Sequence, residues 1–385
     1  MRTGRGAVAV RVWSWLRWLP ALLTLVPWLA WTAPSTDERI ADLAAPAAFR
    51  LVDWEALNVA QRLDRIWAGL VTPNAPRPED AATVQSYFQA TGADRARLRP
   101  AAEAAIERAV AAAYARAGVV RQQEPLGGRP FPPVVLALTA PPNVLVVSPR
   151  SEIRVIQSII LTPALDGASQ ERLEASADST GVSSLVAPIG GLATYPAMVL
   201  DEAAPDRVLS SAAHEWLHQY LFFYPLGAGY WRLQQTREIN ETTADLVGQE
   251  IGAQVQADLG LVAPAPAAPP AASGRRPFDF RAFMRETRQE GERLLAQGRI
   301  DAAEAYFTGR RDELRGHGYA IRKLNQAYFA FYGSYAEGFA ASPTNPISGL
   351  LRQLRRRSPT LGAFLLRVRT ITTVDGLRQA AQTDG

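Results

Sequence analysis

The chain has 385 residues, of which 48% are hydrophobic and 20% are charged, enough for two modest domains with apolar cores. This composition excludes a largely disordered protein. The 41 Lys and Arg residues against 37 Asp and Glu leave a net charge of only +4, and there is no cysteine, which excludes disulfides, thiolate ligands and a Cys nucleophile. A metal site would therefore have to use His and carboxylate ligands.

Residues 1–35 predict a signal-anchor or a signal peptide. Four arginines, at positions 2, 5, 11 and 17, precede the uncharged run 18–33, and acidic residues follow it. Positive charge before an apolar run keeps the N-terminus in the cytoplasm and sends the rest across the membrane. We expect an extracytoplasmic protein, anchored in the cytoplasmic membrane by residues 8–33 or secreted if this segment is cleaved. Trp31, at the −3 position of a cut after Ala33, favours the anchor.

Residues 36–125 predict an N-terminal helical region. Apolar residues at helical spacing between Leu51 and Leu70 predict one amphipathic helix, which the proline-rich stretch 72–80 ends. Two further helices are expected at 81–90 and 100–117. We expect this region to pack on the next domain, and it shows no pattern of catalytic residues.

Residues 126–262 predict a domain that mixes strands and helices. The apolar runs 134–140 and 143–149 predict a β-hairpin, and a strand is expected in the second half of 151–165. The remaining predicted elements are a helix over 169–179, a strand region over 183–200, a helix over 207–224 with Asp206 as its cap, and a helix over 233–255.

The Pro- and Ala-rich residues 263–277 predict a linker, and 278–385 a helical C-terminal domain. Its predicted helices span 278–297, 300–316, 319–335, 347–357, 361–371 and 374–382. The basic run 355–357 lacks interleaved aromatic residues, so we interpret it as a solvated helix face and expect no nucleic-acid partner.

The stretch 211–220, SAAHEWLHQY, contains the pattern HExxH. His214 and His218 lie one turn apart on a helix and can direct ring nitrogens to one metal ion at about 2.0–2.1 Å. Glu215 lies about 100° round the helix, near the ion without binding it, where a base for water activation is needed. A metal-free buried histidine pair is the alternative.

A catalytic zinc takes a third protein ligand, and the next predicted helix offers Glu241 in the stretch 237–250. Asp245 lies one turn beyond it on the same face, where it could accept the second ring N–H of a ligating histidine. The alternative for Glu241 and Asp245 is a plain solvated helix face.

The two motifs HEWLH and NETTAD resemble those of the gluzincin metallopeptidases, which have thermolysin-like catalytic domains. The resemblance implies an α+β fold: a small mixed β-sheet, an HExxH helix and a Glu helix, followed by a helical domain that closes the cleft. It also implies one Zn²⁺ per chain. The implied roles are metal ligands for His214, His218 and Glu241, general base for Glu215, ligand support for Asp245 and Asn240, and a substrate-binding strand for Gly190, Gly191, Leu192 and Ala193.

The resemblance also implies an oxyanion donor, a His or Tyr from the helical domain. Here the candidates are His317 and Tyr328, besides Tyr319, Tyr332 and Tyr335; for each tyrosine simple aromatic packing is the alternative. The predicted function is an extracytoplasmic zinc metallopeptidase acting on peptides or proteins. Because residues 190–199 contain no acid that could hold a free amine, an endopeptidase or a peptidase of narrow specificity is favoured. The alternatives are a catalytically silent, membrane-tethered binding protein and a zinc amidase acting on cell-envelope amides.

Overall fold

The computed structural model describes residues 38–71, 75–119, 129–261, 278–333, 342 and 345–383. The predicted N-terminal segment 1–35 and the predicted linker 263–277 lie outside these residues. Within the described ranges, no helix combines the length and the apolar character that crossing a bilayer requires.

The N-terminal part is helical. It contains α1 (Glu38–Ala44), α2 (Leu51–Gln61), α3 (Leu63–Val71), α4 (Asp80–Gln89) and α5 (Gly92–Arg116), with a short 3₁₀ turn at Ala45–Ala47. The prediction of one helix between Leu51 and Leu70 is wrong, since α2 ends before Arg62 and α3 begins after it. The N–H of Arg62 closes the last turn of α2 on the carbonyl of Val59, at 3.0 Å.

Two small sheets follow. In the first, β1 (Leu136–Thr139) pairs in parallel with β6 (Ala197–Leu200), and β5 (Gly191–Leu192) pairs antiparallel with β6. In the second, β2 (Asn143–Pro149) lies between β3 (Gln157–Leu161) and β4 (Val182–Pro188), antiparallel to both. Helix α6 (Gly167–Asp178) connects β3 to β4.

The predicted hairpin of 134–140 and 143–149 is wrong, because β1 and β2 belong to different sheets. Pro141 and Pro142 separate the two strands, and proline has no backbone N–H to donate to a ladder. Strand β1 instead pairs with the distant β6, where Leu136 lies opposite Ala197, and β2 pairs with the next strand β3 and with β4, where Leu145 lies opposite Val186.

Helices α7 (Pro205–Leu221) and α9 (Gln234–Asp258) form the most extensive helix pair, and the short α8 (Pro225–Ala228) lies between them in sequence. A Cβ added at Gly248 would lie 2.9 Å from the carbonyl oxygen of Ser210, and one added at Gly252 would lie 2.7 Å from the Cα of Ser210. The absence of side chains at these two glycines therefore lets the backbones of α7 and α9 touch.

The start of α7 differs from the prediction. Ala204 occupies the N-cap position and Asp206 lies inside the first turn, so the prediction of Asp206 as the cap is wrong. Pro205 begins the helix because the first helical position needs no N–H donor.

The C-terminal helices contribute to two cores. Helices α10 (Phe280–Ala296), α11 (Ile300–Gly316) and α12 (Gln326–Tyr332) pack with β2 and β4, whereas α13 (Ile347–Arg357), α14 (Leu361–Val368) and α15 (Val374–Gln382) pack with α5, α7 and α9. The predicted helix 319–335 is shorter than expected, because the side chain of Asn325 accepts from the N–H of Tyr328 and begins α12 there. The predicted α+β class is confirmed, with small sheets among many helices.

Candidate metal centre

His214 and His218 project from α7 toward α9. Their ring centroids lie 4.7 Å apart, and their Nε2 atoms are 2.9 Å apart. The apolar face of α7 packs into the core through Leu209, Trp216 and Leu217, so it fixes the rotation of the helix. The one-turn spacing of the two histidines then brings both Nε2 atoms to the same point.

Glu241, on α9, reaches the same point from the opposite helix. Its Oε2 atom lies 3.5 Å from His214 Nε2 and 3.6 Å from His218 Nε2. The Glu241 side chain is buried, and this oxygen has no hydrogen-bond partner among the described residues. The structure therefore brings the three predicted ligands together.

The far sides of both imidazole rings are held by α9. Asp245 Oδ1 lies 3.1 Å from His214 Nδ1, and Asn240 Oδ1 lies 2.6 Å from His218 Nδ1. Asn240 also donates from Nδ2 to the carbonyl of Leu226, at 3.2 Å, which fixes the orientation of its amide. Because both oxygens can only accept, each Nδ1 carries a hydrogen, and a neutral ring presents a lone pair at Nε2.

Two ring nitrogens and a carboxylate oxygen that face one another at these distances need a positive charge between them, which either a metal ion or a proton held on His214 can supply. The separations of 2.9 to 3.6 Å bracket the spacing of about 3.3 Å between ligands 2.0–2.1 Å from a tetrahedral ion. Two nitrogens and one carboxylate form a donor set suited to zinc, so these residues fit the predicted ion.

The electrostatics of the cluster agree with this geometry. Burial alone would raise the pKa of Glu241, but His218 and His214 outweigh it and hold that pKa well below its usual range. Burial lowers the pKa of His214, but the nearby carboxylates of Asp245 and Glu241 outweigh it and raise that pKa well above its ordinary value. The cluster therefore combines the ionised Glu241 carboxylate with a strongly basic imidazole at His214.

Glu215 lies beside the three ligand atoms. Within the described part of the chain, His214, Glu215 and His218 offer ligand atoms that all lie within 4.8 Å of one another. Glu241 is the better candidate for a third ligand than Glu215, because Glu241 Oε2 faces both Nε2 atoms. In addition, burial raises the pKa of Glu215 although both histidines oppose it. A buried carboxylate of raised proton affinity next to the ligands is suited to accept a proton.

The predicted substrate strand passes directly over Glu215. A Cβ added at Gly191 would lie 2.4 Å from Glu215 Oε1 and 2.9 Å from its Cδ. Gly190, Gly191, Leu192 and Ala193 line a cleft of about 1180 Å³ that also contains His214, Glu215, His218 and Glu241. Within the described residues β5 pairs with β6 alone, so its second edge is available to an extended chain.

The predicted oxyanion donors that the structure describes, His317, Tyr319, Tyr328 and Tyr332, are not at this site, and Tyr335 lies outside the described residues. His317 follows α11 and stacks on Phe278 with a centroid separation of 3.9 Å, and Tyr328 is buried against Phe329 and Tyr332. Neither lines the cleft. Tyr328 lies on the inward face of α12, so packing accounts for its position.

Tyr230 is a cleft residue that the sequence did not predict. Its hydroxyl donates to Glu241 Oε1, and its ring centroid lies 6.0 Å from that of His218. Burial and then Glu241 raise the pKa of Tyr230 well above its ordinary value, so the hydroxyl keeps its proton. The sequence signal is an aromatic pair, Tyr230 and Trp231, in the loop that leads into the Glu241 helix.

Comparisons with protein-family models, with curated proteins and with solved structures found no match for this chain. Functional inference therefore depends on the residues of the cleft and on the chemistry of their arrangement.

Proposed function

We propose that this protein is a zinc metallopeptidase of gluzincin type. The observation that carries the proposal is that His214 Nε2, His218 Nε2 and Glu241 Oε2 converge on one point. The buried Glu215 lies next to this point but is not one of the three converging groups. A site that only stores or senses a metal needs no such base.

His214, His218 and Glu241 would hold the ion, with Asp245 and Asn240 fixing the orientation of the two rings. Zinc, when bound, supplies a Lewis acid that makes water a stronger nucleophile at neutral pH and polarises a carbonyl group. Three protein ligands leave a coordination position open for the reactants.

Glu215 accepts the proton of the attacking water and delivers it to the amine that leaves. Its burial favours this role, because burial raises the pKa of the Glu215 carboxyl group toward neutrality. A group with such a pKa can both accept a proton from water and pass it on to the leaving amine. The backbone of Gly191 lies over the carboxylate and shields one side of it from bulk water.

Tyr230 is the candidate donor to the oxyanion of the transition state. Its phenol stays protonated, lines the cleft and lies beside the third ligand. Its single O–H donates to Glu241 Oε1, so it would turn from that oxygen to the oxyanion, where a donor at a site of limited water access stabilises developing negative charge effectively.

The free edge of β5 favours an extended peptide as substrate. A peptide that pairs along Gly190–Ala193 would place its backbone over the ligand cluster, because these residues and the cluster line one cleft. The absence of side chains at the two glycines allows this close approach.

The test compares the full-length wild type with Glu215→Gln. We expect about one zinc per chain in both proteins, cleavage of a broad peptide panel by the wild type, and loss of cleavage in the variant. Glu171→Gln, at an exposed position on α6, is the matched control and should retain activity. Bound zinc without cleavage of any amide would favour a binding protein, and cleavage of peptidoglycan alone would favour an envelope amidase.

We also propose an extracytoplasmic location at the cytoplasmic membrane. Besides the uncharged run 18–33, the outward face of α3 supports this location, since Leu63, Trp67 and Val71 are all exposed at one-turn spacing. Apolar residues arranged in this way are typical of a helix that contacts the bilayer interface. Fractionation of expressing cells, with external protease on spheroplasts, tests the location; protein in the cytoplasmic fraction would contradict it.

A further inference from the structure

Glu55 is a buried acid at the cleft that the proposed chemistry does not use. It projects inward from α2, is 2% exposed and lines the cleft of the candidate metal centre. Its Oε1 accepts from the N–H of Tyr195 at 2.7 Å. Its Oε2 is buried and has no hydrogen-bond partner among the described residues.

Gln219 lines the same cleft and adds a second acceptor. It follows His218 on α7 and is 3% exposed, and its Nε2 donates to the carbonyl of Thr194. Its Oε1 is also buried, and the described residues provide it with no partner. Thr194 C=O and Tyr195 N–H belong to one peptide group, so Glu55 and Gln219 hold the same peptide unit of the chain that continues from β5.

Buried acceptors without donors destabilise the folded protein, and a charged group does so most. Burial raises the pKa of Glu55 to about 7 although the N–H of Tyr195 lowers it, because one hydrogen bond compensates little of the charge. The two arginines that line the cleft, Arg207 and Arg237, form no hydrogen bond with it. A positive donor brought by a ligand would compensate both oxygens.

We propose that Glu55 and Gln219 form a subsite for a primary ammonium group of the substrate. An ammonium is a compact charge with three donors and no acceptor, so it can serve two acceptors on different side chains. A guanidinium binds best to both oxygens of one carboxylate, and Oε1 of Glu55 is already occupied by Tyr195. The subsite lies beside the strand along which we propose that the peptide pairs, so it deepens the proposed function and depends on it.

Two parts of a peptide carry this group, the N-terminal α-amine and the lysine side chain. Residues 190–199 contain no acid, which at the sequence level favoured an endopeptidase. The structure supplies an acid to this stretch from α2, since Glu55 contacts the backbone of Tyr195. Recognition of the α-amine would restrict cleavage to positions near the peptide N-terminus, whereas recognition of lysine would select internal sites.

The experiment measures peptide binding by calorimetry to zinc-loaded, full-length Glu215→Gln, in which turnover is blocked. One peptide is compared with its N-acetylated form, with forms in which norleucine or arginine replaces lysine, and with both changes together. We expect either acetylation or the norleucine replacement to weaken binding about 10- to 100-fold, which identifies the source of the ammonium. Arginine should replace lysine poorly.

Glu55→Gln, added to the same background, provides the second comparison. Glutamine can still accept from Tyr195 N–H but removes the charge, so it should weaken binding of the amine-bearing peptide to the level of its blocked form. Equal binding of all peptides to the parent protein would overturn the subsite, whether or not Glu55→Gln folds. Binding does not require cleavage, so a wild type that cleaves no peptide overturns the proposed function in a separate measurement.

Discussion

Gly191 lies directly against the carboxylate of Glu215, so that a Cβ on Gly191 would fall 2.4 Å from Oε1 and 2.8 Å from Cγ. The contact links the edge strand to the proposed base. At Gly190, by contrast, an added Cβ would meet no atom within 4 Å. The two neighbouring glycines therefore provide a matched pair of substitutions.

We expect Gly191→Ala to lower kcat of peptide cleavage about 100-fold, because the new methyl group displaces the Glu215 carboxylate by about 1 Å. Zinc content should not change, because the atoms nearest to the added Cβ belong to Glu215 and not to His214, His218 or Glu241. Gly190→Ala brings no atom to Glu215, so it should retain most of kcat and act on KM through peptide pairing. An equal kcat in both variants would show that the position of Glu215 is not controlled by the strand.

The free Oε2 of Glu241 leads to a prediction about metal affinity. Glu241→Gln replaces an anionic ligand by a neutral amide, so we expect zinc to bind at least 100-fold more weakly in a competition titration with a chelator. Zinc should correspondingly stabilise the wild type against heat more than it stabilises the variant. Glu238→Gln, one turn earlier on α9, is the control; a similar loss in both variants would exclude Glu241 as a ligand.

Tyr230→Phe removes only a hydroxyl. If this group donates to the oxyanion, kcat should fall about 10²- to 10³-fold while KM changes little. Because the hydroxyl also contacts Glu241, zinc content has to be measured in the same samples. Loss of zinc in proportion to activity would assign Tyr230 to ligand support instead. Tyr306→Phe, on α11, serves as the control.

The raised pKa of Glu55 predicts a specific pH dependence of stability. An unfolded glutamate has a pKa near 4.5, whereas burial raises that of folded Glu55 to about 7. Below pH 4.5 both states are protonated, so there is no contribution. As pH rises from 4.5 to 7, the unfolded state loses its proton first, and the free energy of unfolding falls by up to about 3 kcal/mol.

Glu55→Gln removes this pH-dependent contribution to the free energy of unfolding, because glutamine does not titrate. In urea unfolding of the full-length protein, the variant should therefore gain stability relative to the wild type between pH 4.5 and 7.5, by roughly 3 kcal/mol at most. All other titrating groups are common to both proteins and cancel in the difference. A difference that does not vary with pH would contradict the raised pKa.

The proximity of the three candidate ligands could be predicted from the sequence because their arrangement is local. His214 and His218 lie within one helix, and Glu241 lies on the next long helix, so helical periodicity alone places them on facing surfaces. Asp245 follows from the same periodicity, whereas Asn240 was expected only from the resemblance to the gluzincins. The structure places all of these side chains together.

The features that could not be predicted depend on contacts between distant parts of the chain. Glu55 and Tyr195 are 140 residues apart, and no local pattern relates them. The prediction of a hairpin between β1 and β2 was wrong for the same reason. Two adjacent apolar runs resemble a hairpin in sequence even when each pairs with a distant strand, as β1 does with β6. Tyr230 lies in a loop, where no periodicity indicates the direction of a side chain.

The contact of Gly248 and Gly252 with Ser210 has a consequence for which ions can be accommodated. A Cβ at Gly248 would also lie 3.0 Å from His214 Cβ, so backbone contact holds α9 against the segment that carries the first histidine. The width of the gap between the donors is thus set by two helices that already touch. Calcium prefers oxygen ligands at about 2.3–2.6 Å and six to eight of them, so it would have to force these helices apart, and we expect discrimination by ionic radius as well as by ligand chemistry.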